Sequence, residues 1–337
     1  MIRIALDAMG SDGAPAAEID GAVLALQQLP GDLLLTLVGR EDELRDGLAR
    51  HAGTDLGRLR IVHAQDAIGM AEKPLAAVRK KPKSSLVVAV KLHRDNEVDA
   101  VVSAGNTGAT LAAATVLLGL HEGVDRAAVA SPFPTADGIV LVLDAGANVD
   151  CSARELVNFA RLGSIYMRDV VGVADPAVGL LNVGEEDEKG GAVVRAAHQA
   201  LKLQPRIRYV GNIEGRDIVV PHPVHGRVDV VVCDGFVGNV VLKFYESMGP
   251  LVDELIRKEN AALLTAPDLR PLRRFFDYSE YGGAPLLGVR GIAIIGHGSD
   301  SPSAIKNAIG KAMESVRSGL SAHIANELSA HEAAAAR

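Results

Sequence analysis

The chain alternates short apolar runs with helical patterns, and this alternation limits its fold more than any other feature of the sequence. Each run is rich in aliphatic residues, ends in Gly, Asn, Asp or Ser, and leads into residues spaced as on a helix. The runs cover residues 2–8, 33–39, 100–105, 139–146, 178–184, 228–235 and 292–298. Buried strands that alternate with helices form βα units with right-handed crossovers. We therefore predict the α/β fold class, with a three-layer αβα sandwich around a mostly parallel sheet.

The composition fits such a fold. Hydrophobic residues make up 48% of the 337 residues but aromatic residues only 3%, and there is no Trp, so Ala, Val, Leu and Ile must build the core. Aliphatic side chains of this kind suit helices packed on a parallel sheet. No linker, low-complexity stretch or repeat divides the chain before its alanine-rich end. We expect residues 1–330 to form a single compact catalytic unit and residues 331–337 to form a frayed tail.

One segment, at about residues 240–285, departs from this alternation. Its first part carries apolar residues three and four apart, which make a continuous stripe on a helix. These residues are Val241, Phe244, Met248, Leu251 and Leu255. We predict a helical hairpin inserted into the catalytic unit. Such a hairpin would serve as a dimer interface, as a membrane-surface element, or as an ordinary helical pair that covers the core.

The charge and the cysteines exclude several classes of protein. A net charge of -7 argues against nucleic-acid binding, because proteins hold phosphate backbones with clusters of Lys and Arg. Cys151 and Cys233 form no CxxC pair, so there is neither a disulfide framework nor a zinc signature, and a reducing cytoplasm is the simpler setting. No signal peptide is visible, and no apolar run approaches the ~20 residues of a membrane span. We expect a cytoplasmic protein that is soluble or peripherally attached to the membrane.

Familiar cofactor and metal motifs are also absent from the sequence. It has no P-loop, no GxGxxG after a strand, no HExxH and no GxSxG. We therefore predict no cofactor and no metal ion. Covalent catalysis through a cysteine is not required either. Inorganic phosphate is already nucleophilic at neutral pH, so an enzyme that adds it to a thioester can act by alignment and charge stabilisation.

Seven glycine-rich polar loops follow predicted strands, at the carboxyl ends where α/β proteins bind ligands. They read AMGSDGAP from Ala8, SAGNTGAT from Ser103, LDAGANVDC from Leu143, NVGEEDEKGG from Asn182, VGNIEGRD from Val210, CDGFVGNV from Cys233 and IGHGSDSPS from Ile295. Glycine lets the backbone approach a ligand, and amides at a helix N-terminus attract anions. One such loop alone is more often an ordinary turn or helix cap. Their recurrence indicates a phosphate site.

The candidate site residues come from these loops. Lys189 could neutralise a phosphate or an oxyanion, and Asn239 could donate a second hydrogen bond, so both are candidate catalytic residues. The candidate contacts to phosphate or acyl phosphate are Gly10, Ser11, Asp12, Ser103, Gly105, Asn106, Thr107, Gly108, Asn212, Asp234, Gly238 and His297. Each candidate also has a plainer explanation as a solvated lysine, a helix cap or a turn residue.

Taken together, the motifs resemble those of the bacterial phosphate acyltransferase (PlsX) family over nearly the whole chain. The resemblance rests on DAMGSDGAP, SAGNTGA, LDAGAN, NVGEEDEKG, GNIEGRDI, CDGFVGNVVLK, YGGAPLLGVRG and GHGSDS, in this order. It implies a fold like that of phosphotransacetylases and isopropylmalate dehydrogenases, a homodimer, and peripheral contact with the membrane. It also implies that Lys189 and Asn239 lie at the reacting centre. Glu185 departs from the pattern, since we would expect Thr there in many members.

The resemblance further implies a reaction, the transfer of a long fatty acyl chain from acyl carrier protein to inorganic phosphate, giving acyl phosphate for phospholipid synthesis. Acyl carrier proteins are acidic, so docking on this acidic chain needs a basic island. We predict it from Lys73, Arg79, Lys80, Lys81 and Lys83, together with Arg273 and Arg274. Three other functions stay open: a short-chain phosphotransacylase that uses acyl-CoA, a metal-dependent decarboxylating dehydrogenase, and a noncatalytic scaffold.

Overall fold

The computed structural model describes residues 1–51, 53–269, 275–276, 278–296 and 301–335. The chain divides into two compact units, Met1–Ala127 with Tyr281–Arg337, and Ala128–Glu280. Each unit contains a mostly parallel sheet flanked by helices. The predicted α/β fold class is therefore confirmed. That residues 1–330 act as a single catalytic unit stays a prediction.

Strands and helices follow the predicted alternation through the described residues. The strands are β1 (Ile2–Asp7), β2 (Leu33–Gly39), β3 (Leu59–His63), β4 (Ala100–Ser103), β5 (Ala128–Val129), β6 (Ser131–Thr135), β7 (Gly138–Leu143), β8 (Ala177–Leu181), β9 (Arg208–Ile213), β10 (Val230–Val232), β11 (Ala284–Leu287) and β12 (Ala293–Ile295). The helices are α1 (Ala16–Gln28), α2 (Glu41–Ala49), α3 (Pro74–Lys80), α4 (Ser85–Arg94), α5 (Thr107–Leu117), α6 (Ala153–Tyr166), α7 (Ala192–Lys202), α8 (Gly235–Asn260), α9 (Pro302–Arg317) and α10 (Leu320–Ala335). Each of the apolar runs contains one of these strands. Residues 331–335, expected in a frayed tail, form the end of α10.

The sheet of the first unit is built around β1. This strand pairs in parallel with β2 on one side and with β4 on the other, so that Asp7 lies opposite Ser103 at the carboxyl end. The strand order is β3-β2-β1-β4-β12-β11-β5, and the two-residue β5 is in sequence the first element of the second unit. β12 runs parallel to β4, and β11 is antiparallel to β12. The loops after β1, β4 and β12 therefore leave the sheet at one edge.

A core of aliphatic side chains joins this sheet to the helices α1 and α9. Ile4 and Leu37 from the strands, Ile19 from α1, and Ile305 and Ile309 from α9 are fully buried. Burial of a side chain of this size contributes about 1.5–3 kcal/mol relative to leaving it in water. The core is therefore of the kind that the composition predicted.

The second unit has a five-stranded sheet of order β6-β7-β10-β8-β9. Strands β7, β10, β8 and β9 are parallel, and β6 pairs antiparallel with β7 at the edge. Pro132 and Pro134 lie in β6. Proline has no backbone N–H to donate, and an edge strand tolerates this loss because only one of its sides is paired. The parallel arrangement brings the loops after β7, β8, β9 and β10 to a single edge of this sheet.

The predicted helical hairpin corresponds to α8 and to the 3-10 turns Ala261–Thr265 and Pro267–Leu269 that follow it. Its apolar stripe is partly solvent-exposed, because the side chains of Phe244, Leu251 and Leu255 are exposed. A contact of this segment with a second subunit or with a membrane stays a prediction. No described helix has the length and the apolar character that a bilayer crossing requires.

Candidate active site

In the first unit, the loops after β1 and β4 pack directly on each other. Ser103 Oγ donates a hydrogen bond of 2.8 Å to Asp7 Oδ2. A Cβ atom on Gly10 would lie 3.0 Å from Gly105 Cα, and a Cβ atom on Gly105 would lie 3.0 Å from Gly10 Cα. Any larger residue would push the two backbones apart, so the contact between the loops requires both glycines.

Donor groups of these two loops are already used within the protein. Ser11 N donates to Glu18 Oε1 at 3.2 Å, and Gly105 N donates to Ser103 Oγ at 3.3 Å. A phosphate ion bound here would have to displace these acceptors. The role of these residues, and of Gly10, in phosphate binding stays a prediction. Their observed contacts hold the two loops together.

Asn106 is the cap of α5. Its Oδ1 accepts a hydrogen bond of 3.0 Å from the first turn of that helix, and its Nδ2 donates to carbonyl oxygens in the turn at residues 69–72. Both ends of the amide are thus engaged. Gly108 packs against the start of α3. Asp12 and Thr107 are exposed and remain open to a ligand.

Two carboxyl groups are buried beneath these loops, and the sequence analysis did not single them out. Burial raises the pKa of Asp7 above its usual value, and it raises the pKa of Glu18 to about 7. Burial favours the neutral form of a carboxyl group, and a neighbouring anion favours it further. A phosphate on the first-unit loops would add negative charge above these carboxyl groups. A bound anion would therefore favour the neutral form of both carboxyl groups further.

In the second unit, four of the predicted loops leave the same edge of the sheet. They follow β7 at residues 144–148, β8 at 182–191, β9 at 214–217 and β10 at 234–239. β10 lies between β7 and β8, and neighbouring strands are about 4.8 Å apart. Lys189 follows β8 and Asn239 follows β10, so the two candidate catalytic residues belong to adjacent loops. A joint role in one site requires such a placement.

Asp144 organises the loop after β7. Its carboxylate accepts hydrogen bonds from Val129 N at 2.9 Å and from the N and Nδ2 atoms of Asn148 at 2.5 and 3.0 Å. Burial raises the pKa of Asp144 to about 6, and these hydrogen bonds oppose the rise. A Cβ atom on Gly238 would lie 1.9 Å from the carbonyl oxygen of Asp144. Gly238 is therefore required for the close approach of α8 to this loop, and its contact with phosphate stays a prediction.

Asp234 and Asn239 lie at the start of α8. Asp234 caps the helix, since its Oδ1 accepts a hydrogen bond of 2.8 Å from Val237 N. Asn239 is exposed, and a Cβ atom on Gly146 would lie 3.3 Å from its Oδ1. The N-terminal turn of a helix carries a partial positive charge that attracts anions. From this position the Asn239 amide could donate to a phosphate or carbonyl oxygen.

Residues 182–191, which we call the lysine loop, are fixed by hydrogen bonds to their backbone. Asn182 Nδ2 donates to Lys189 O at 3.2 Å, and Asn212 Nδ2 donates to Glu186 O at 3.0 Å. The Lys189 side chain is 45% exposed, and its Nζ lies 3.9 Å from Glu186 Oε2. An exposed ion pair at this separation contributes little stability. The ammonium group can therefore turn to a bound anion at small cost.

Asn212 has a structural role that the sequence did not show. It is buried at the end of β9, where its Nδ2 holds the lysine loop. Its Oδ1 is buried and has no hydrogen-bond partner among the described residues. A buried acceptor without a partner costs about 1–3 kcal/mol. A donor on a ligand or a water would remove that cost, so Asn212 remains a candidate for ligand contact.

Glu185, Asp217 and His222 form a cluster whose potential ligand atoms lie within 4.8 Å of one another. The cluster has the residue types of a metal site, but its histidine does not offer a lone pair to a metal ion. His222 Nδ1 accepts hydrogen bonds of 3.1 Å from two backbone N–H groups. The hydrogen of the neutral ring is then on Nε2, which lies 3.2 Å from Glu185 Oε1. Arg216 Nη2 lies 3.5 Å from the same carboxylate oxygen, so the arrangement does not fit a metal ion.

The basic island is exposed at most of its cations. Its exposed members are Lys73, Arg79, Lys80 and Lys83. Lys81 is engaged instead, since its Nζ donates to Glu72 Oε1 at 2.6 Å and to Ala67 O at 2.8 Å. Lys81 therefore supports the local fold rather than offering a free charge. Three further predicted residues, Arg273, Arg274 and His297, lie outside the described residues.

The two cysteines are unsuited to nucleophilic catalysis. Burial raises the pKa of Cys151 to about 12 and raises the pKa of Cys233 well above its usual value. The carboxylate of Asp144 raises both pKa values further. A cysteine attacks as the thiolate, and these shifts disfavour that form at neutral pH. Neither thiol is therefore expected to act as a nucleophile at neutral pH.

Comparison with known proteins identifies the family. A family model described as "Fatty acid synthesis protein" matches residues 2–323. Two relatives named "Phosphate acyltransferase" come from Heliobacterium modesticaldum and Geobacter sulfurreducens, and they are 46% identical over 331 residues and 45% identical over 337 residues. The matches cover 96% and 97% of this chain, and 96% and 94% of the relatives. The chain belongs to the phosphate acyltransferase family. It is therefore an acyltransferase, and the resemblance of the motifs is confirmed.

Solved structures of other acyltransferases share the fold of this phosphate acyltransferase family member. A phosphotransacetylase from Streptococcus pyogenes aligns with a TM-score of 0.66 at 16% identity. The EutD phosphotransacetylase from Staphylococcus aureus aligns with a TM-score of 0.63 at 15% identity. Each alignment covers 94% of both chains. The likeness confirms the expected fold, and at this identity it says nothing about the acyl donor.

Two acids that organise the loops share a pattern that the sequence could have revealed. Asp7 and Asp144 are each the Asp of a Leu-Asp-Ala sequence at the end of a buried strand. An acid in such a position must be hydrogen-bonded or protonated, because an unpaired buried charge is costly. Glu18 lies in an ordinary helical pattern and His222 in a proline-containing loop, so nothing in the sequence marked their burial.

Proposed function

We propose that this phosphate acyltransferase family member transfers a long-chain acyl group from acyl carrier protein to inorganic phosphate, giving acyl phosphate for phospholipid synthesis. The observation that carries the proposal is the lysine loop. It holds a half-exposed ammonium group at the carboxyl edge of the second-unit sheet, beside the loop of Asn239. Family membership supplies the reaction class, and this arrangement supplies the groups that such a reaction needs.

The proposed reaction needs no covalent intermediate on the enzyme. A phosphate oxygen attacks the carbonyl carbon of the thioester, and the new C–O bond leaves an oxyanion on the carbonyl oxygen. The C–S bond then breaks, and the departing thiolate takes the proton of hydrogen phosphate. The Lys189 ammonium group neutralises the phosphate, and Asn239 Nδ2 donates to the oxyanion. Alignment and charge stabilisation of this kind account for large rate enhancements in acyl transfer.

The basic island is the proposed docking surface for acyl carrier protein. Its four exposed cations follow one another closely around α3, so an acidic partner would meet them on a short stretch of surface. Complementary charge raises the association rate and makes it sensitive to salt. Reversal of Lys80 and Lys83 to Glu should raise the apparent KM for the acylated carrier. Arg206→Glu, an exposed cation of the second unit, is the matched control.

The exposed face of α8 is the proposed surface for peripheral membrane contact. Phe236, Val240, Phe244, Leu251 and Leu255 are spaced along one side of the helix and are between 48% and 69% exposed. Apolar patches of this kind mark interaction surfaces. Phe244→Ser with Leu251→Ser should reduce co-sedimentation with vesicles that contain anionic lipid. If the variant instead changes from dimer to monomer in light scattering, this face belongs to the proposed homodimer.

The decisive experiment compares acyl donors. The protein is incubated with inorganic phosphate and either palmitoyl acyl carrier protein or acetyl-CoA, and acyl phosphate is trapped with hydroxylamine. We expect product with the carrier-bound long chain. Product with acetyl-CoA alone would support a short-chain phosphotransacylase instead. The absence of product with either donor would remove the proposal.

A further inference from the structure

The lysine loop is tied to a second loop through a buried histidine. His222 lies in the turn closed by the β-bridge between His222 and Gly226, and its side chain is 2% exposed. The ring stacks on His225 with a centroid distance of 4.7 Å and an interplanar angle of 25°. Its Nε2 atom is 3.2 Å from Glu185 Oε1, in the lysine loop. The contact thus joins two loops that follow neighbouring strands, β9 and β8.

The position of the ring hydrogen follows from the other side of the ring. His222 Nδ1 accepts hydrogen bonds from Val224 N and His225 N, each at 3.1 Å. A nitrogen that faces two N–H donors must present its lone pair, so the hydrogen of the neutral ring sits on Nε2. The N–H group of His222 is therefore on the side of the ring that contacts Glu185 Oε1, and the ring cannot turn without breaking both bonds to Nδ1.

Arg216, the other cation near Glu185, is a weaker restraint. Its Nη2 lies 3.5 Å from Glu185 Oε1, and its side chain is 66% exposed. It is also shared with the carboxylates of Glu214 at 3.2 Å and Asp217 at 3.8 Å. An exposed arginine that serves several carboxylates fixes none of them well. The buried, stacked ring of His222 is the rigid partner.

We propose that His222 is a positioning residue for Lys189. By fixing Glu185 it fixes the start of the turn that carries the lysine, in which Lys189 N donates to Glu186 O. Asn212 holds Glu186 from β9 as well, so release of Glu185 should displace the turn without unfolding it. This inference rests on the proposed role of Lys189 at the phosphate.

A matched pair of substitutions tests the contact itself. In His222→Gln the side-chain amide can reach the position of Nε2 and place an N–H group against Glu185, whereas in His222→Asn the shorter amide cannot. We expect His222→Asn to raise the KM for phosphate about tenfold to 100-fold, because a displacement of about 1 Å at a reacting group has effects of this size. His222→Gln should restore most of the loss, with a smaller change in kcat in both variants.

Two controls separate positioning from a general loss of structure. His225→Ala removes the stacking ring but not the Nε2 contact with Glu185, and it should remain close to wild type in KM. In a Lys189→Ala background, His222→Asn should cause no further loss, because the group that it positions is gone. Equal KM values for the Asn and Gln variants, or an undiminished loss in the Lys189→Ala background, would overturn the proposal.

A second measurement keeps this inference distinct from the proposed function. The modification rate of Lys189 by an amine-acylating reagent, read by peptide mass spectrometry, reports the setting of the side chain without turnover. We expect this rate to change in His222→Asn and to return in His222→Gln. If the wild type forms no acyl phosphate but this pattern holds, the proposed function fails and the positioning stands. An unchanged rate in His222→Asn removes the positioning inference alone.

Discussion

The glycine loops of the two units are alike in sequence but differ in what they leave available to a ligand. In the first unit, Gly10 and Gly105 bring two loops into contact, and the Asn106 side chain is engaged in capping α5 and in binding the turn at residues 69–72. In the second unit, Lys189 and Asn239 are exposed on adjacent loops that other residues hold in place. The difference teaches that glycine and asparagine motifs mark close backbone packing as readily as they mark a ligand site.

The same contrast extends to the buried acids. Each unit has a Leu-Asp-Ala sequence at the end of a strand, at Asp7 and at Asp144. Asp144 accepts three hydrogen bonds from its own loop and from Val129. Asp7 shares its surroundings with a second buried carboxyl, Glu18, whose pKa its charge also helps to raise. We therefore expect substitutions in the first-unit loops to change stability and substitutions in the second-unit loops to change activity.

The largest effect should come from Lys189→Ala in the second unit. Loss of the ammonium group should lower kcat/KM for acyl phosphate formation roughly 10²–10³-fold, or about 3–4 kcal/mol of transition-state stabilisation. The melting temperature should stay near that of the wild type, because the side chain is half exposed. Turnover is measured by release of carrier thiol and melting by circular dichroism. Arg206→Ala serves as the exposed-cation control. A loss of less than threefold in Lys189→Ala would contradict a catalytic role for the second-unit loops.

The next effect concerns Glu18→Gln in the first unit, and it appears as a dependence of stability on pH. Burial raises the Glu18 pKa from 4.5 to about 7, so the folded state binds more protons than the unfolded state between these values. Below pH 4.5 the neutral Glu18 carboxyl group makes its full contribution to the stability of the folded state. This contribution is lost as the pH rises to about 7 and above. The total loss is about 3 kcal/mol, because one pKa unit corresponds to about 1.4 kcal/mol.

Urea unfolding at pH 5 and at pH 8 measures this dependence. The difference in unfolding free energy between Glu18→Gln and the wild type should shift by about 2.5 kcal/mol in favour of the variant between these two pH values. Asp144→Asn is the second-unit counterpart. The Asp144 pKa rises from 3.8 to about 6, so the pH-dependent stability from this group is lost at a lower pH than that from Glu18. Parallel pH curves for Glu18→Gln and the wild type would contradict the buried setting of Glu18.

A smaller effect is expected from Asn106→Ala. The substitution removes the cap of α5 and the donor to the turn at residues 69–72, and it should cost about 1–3 kcal/mol of unfolding free energy. Activity per folded molecule should change little at saturating substrate. A variant of normal stability with a large rise in the KM for phosphate would instead place Asn106 in contact with the ligand.

The smallest effect is expected from Thr107→Val. Thr107 is exposed at the first position of α5, and surface substitutions of this kind usually change stability by less than about 0.5 kcal/mol. If the first-unit loops are structural, kcat/KM for phosphate should remain within threefold of the wild type. A loss of tenfold or more would show that the first-unit loop also binds the substrate, and the two loop clusters would then differ less than their contacts suggest.

Much of the fold could be predicted from the sequence, because buried parallel strands are continuous apolar runs with clear ends. The strands that the sequence analysis did not recognise, β3, β5, β6 and β11, are short, edge or partly exposed elements such as the proline-containing β6. Their apolar pattern is interrupted, so periodicity does not reveal them. The division into two units was not visible either, because no linker composition accompanies it.

The candidate site was predictable at the level of loops but not of individual contacts. The sequence placed Lys189 and Asn239 after strands, and the sheet order then made their loops neighbours. The sequence analysis also predicted phosphate contacts at Asn106 and Asn212 and a docking contact at Lys81, and all three side chains are engaged within the protein. Such engagement depends on partners from distant segments, and neither spacing nor composition carries that information.

The sequence by itself determined the alternation of strands and helices, the aliphatic core and the family, because each is written in local pattern or in ordered motifs. The tertiary structure alone decided which of several similar loops has an exposed lysine and which is closed on itself. It also decided that Asp7, Glu18, Asp144 and His222 are buried. The physical reason is that burial and hydrogen-bond partners come from strand order and helix packing, which join residues that the chain keeps far apart.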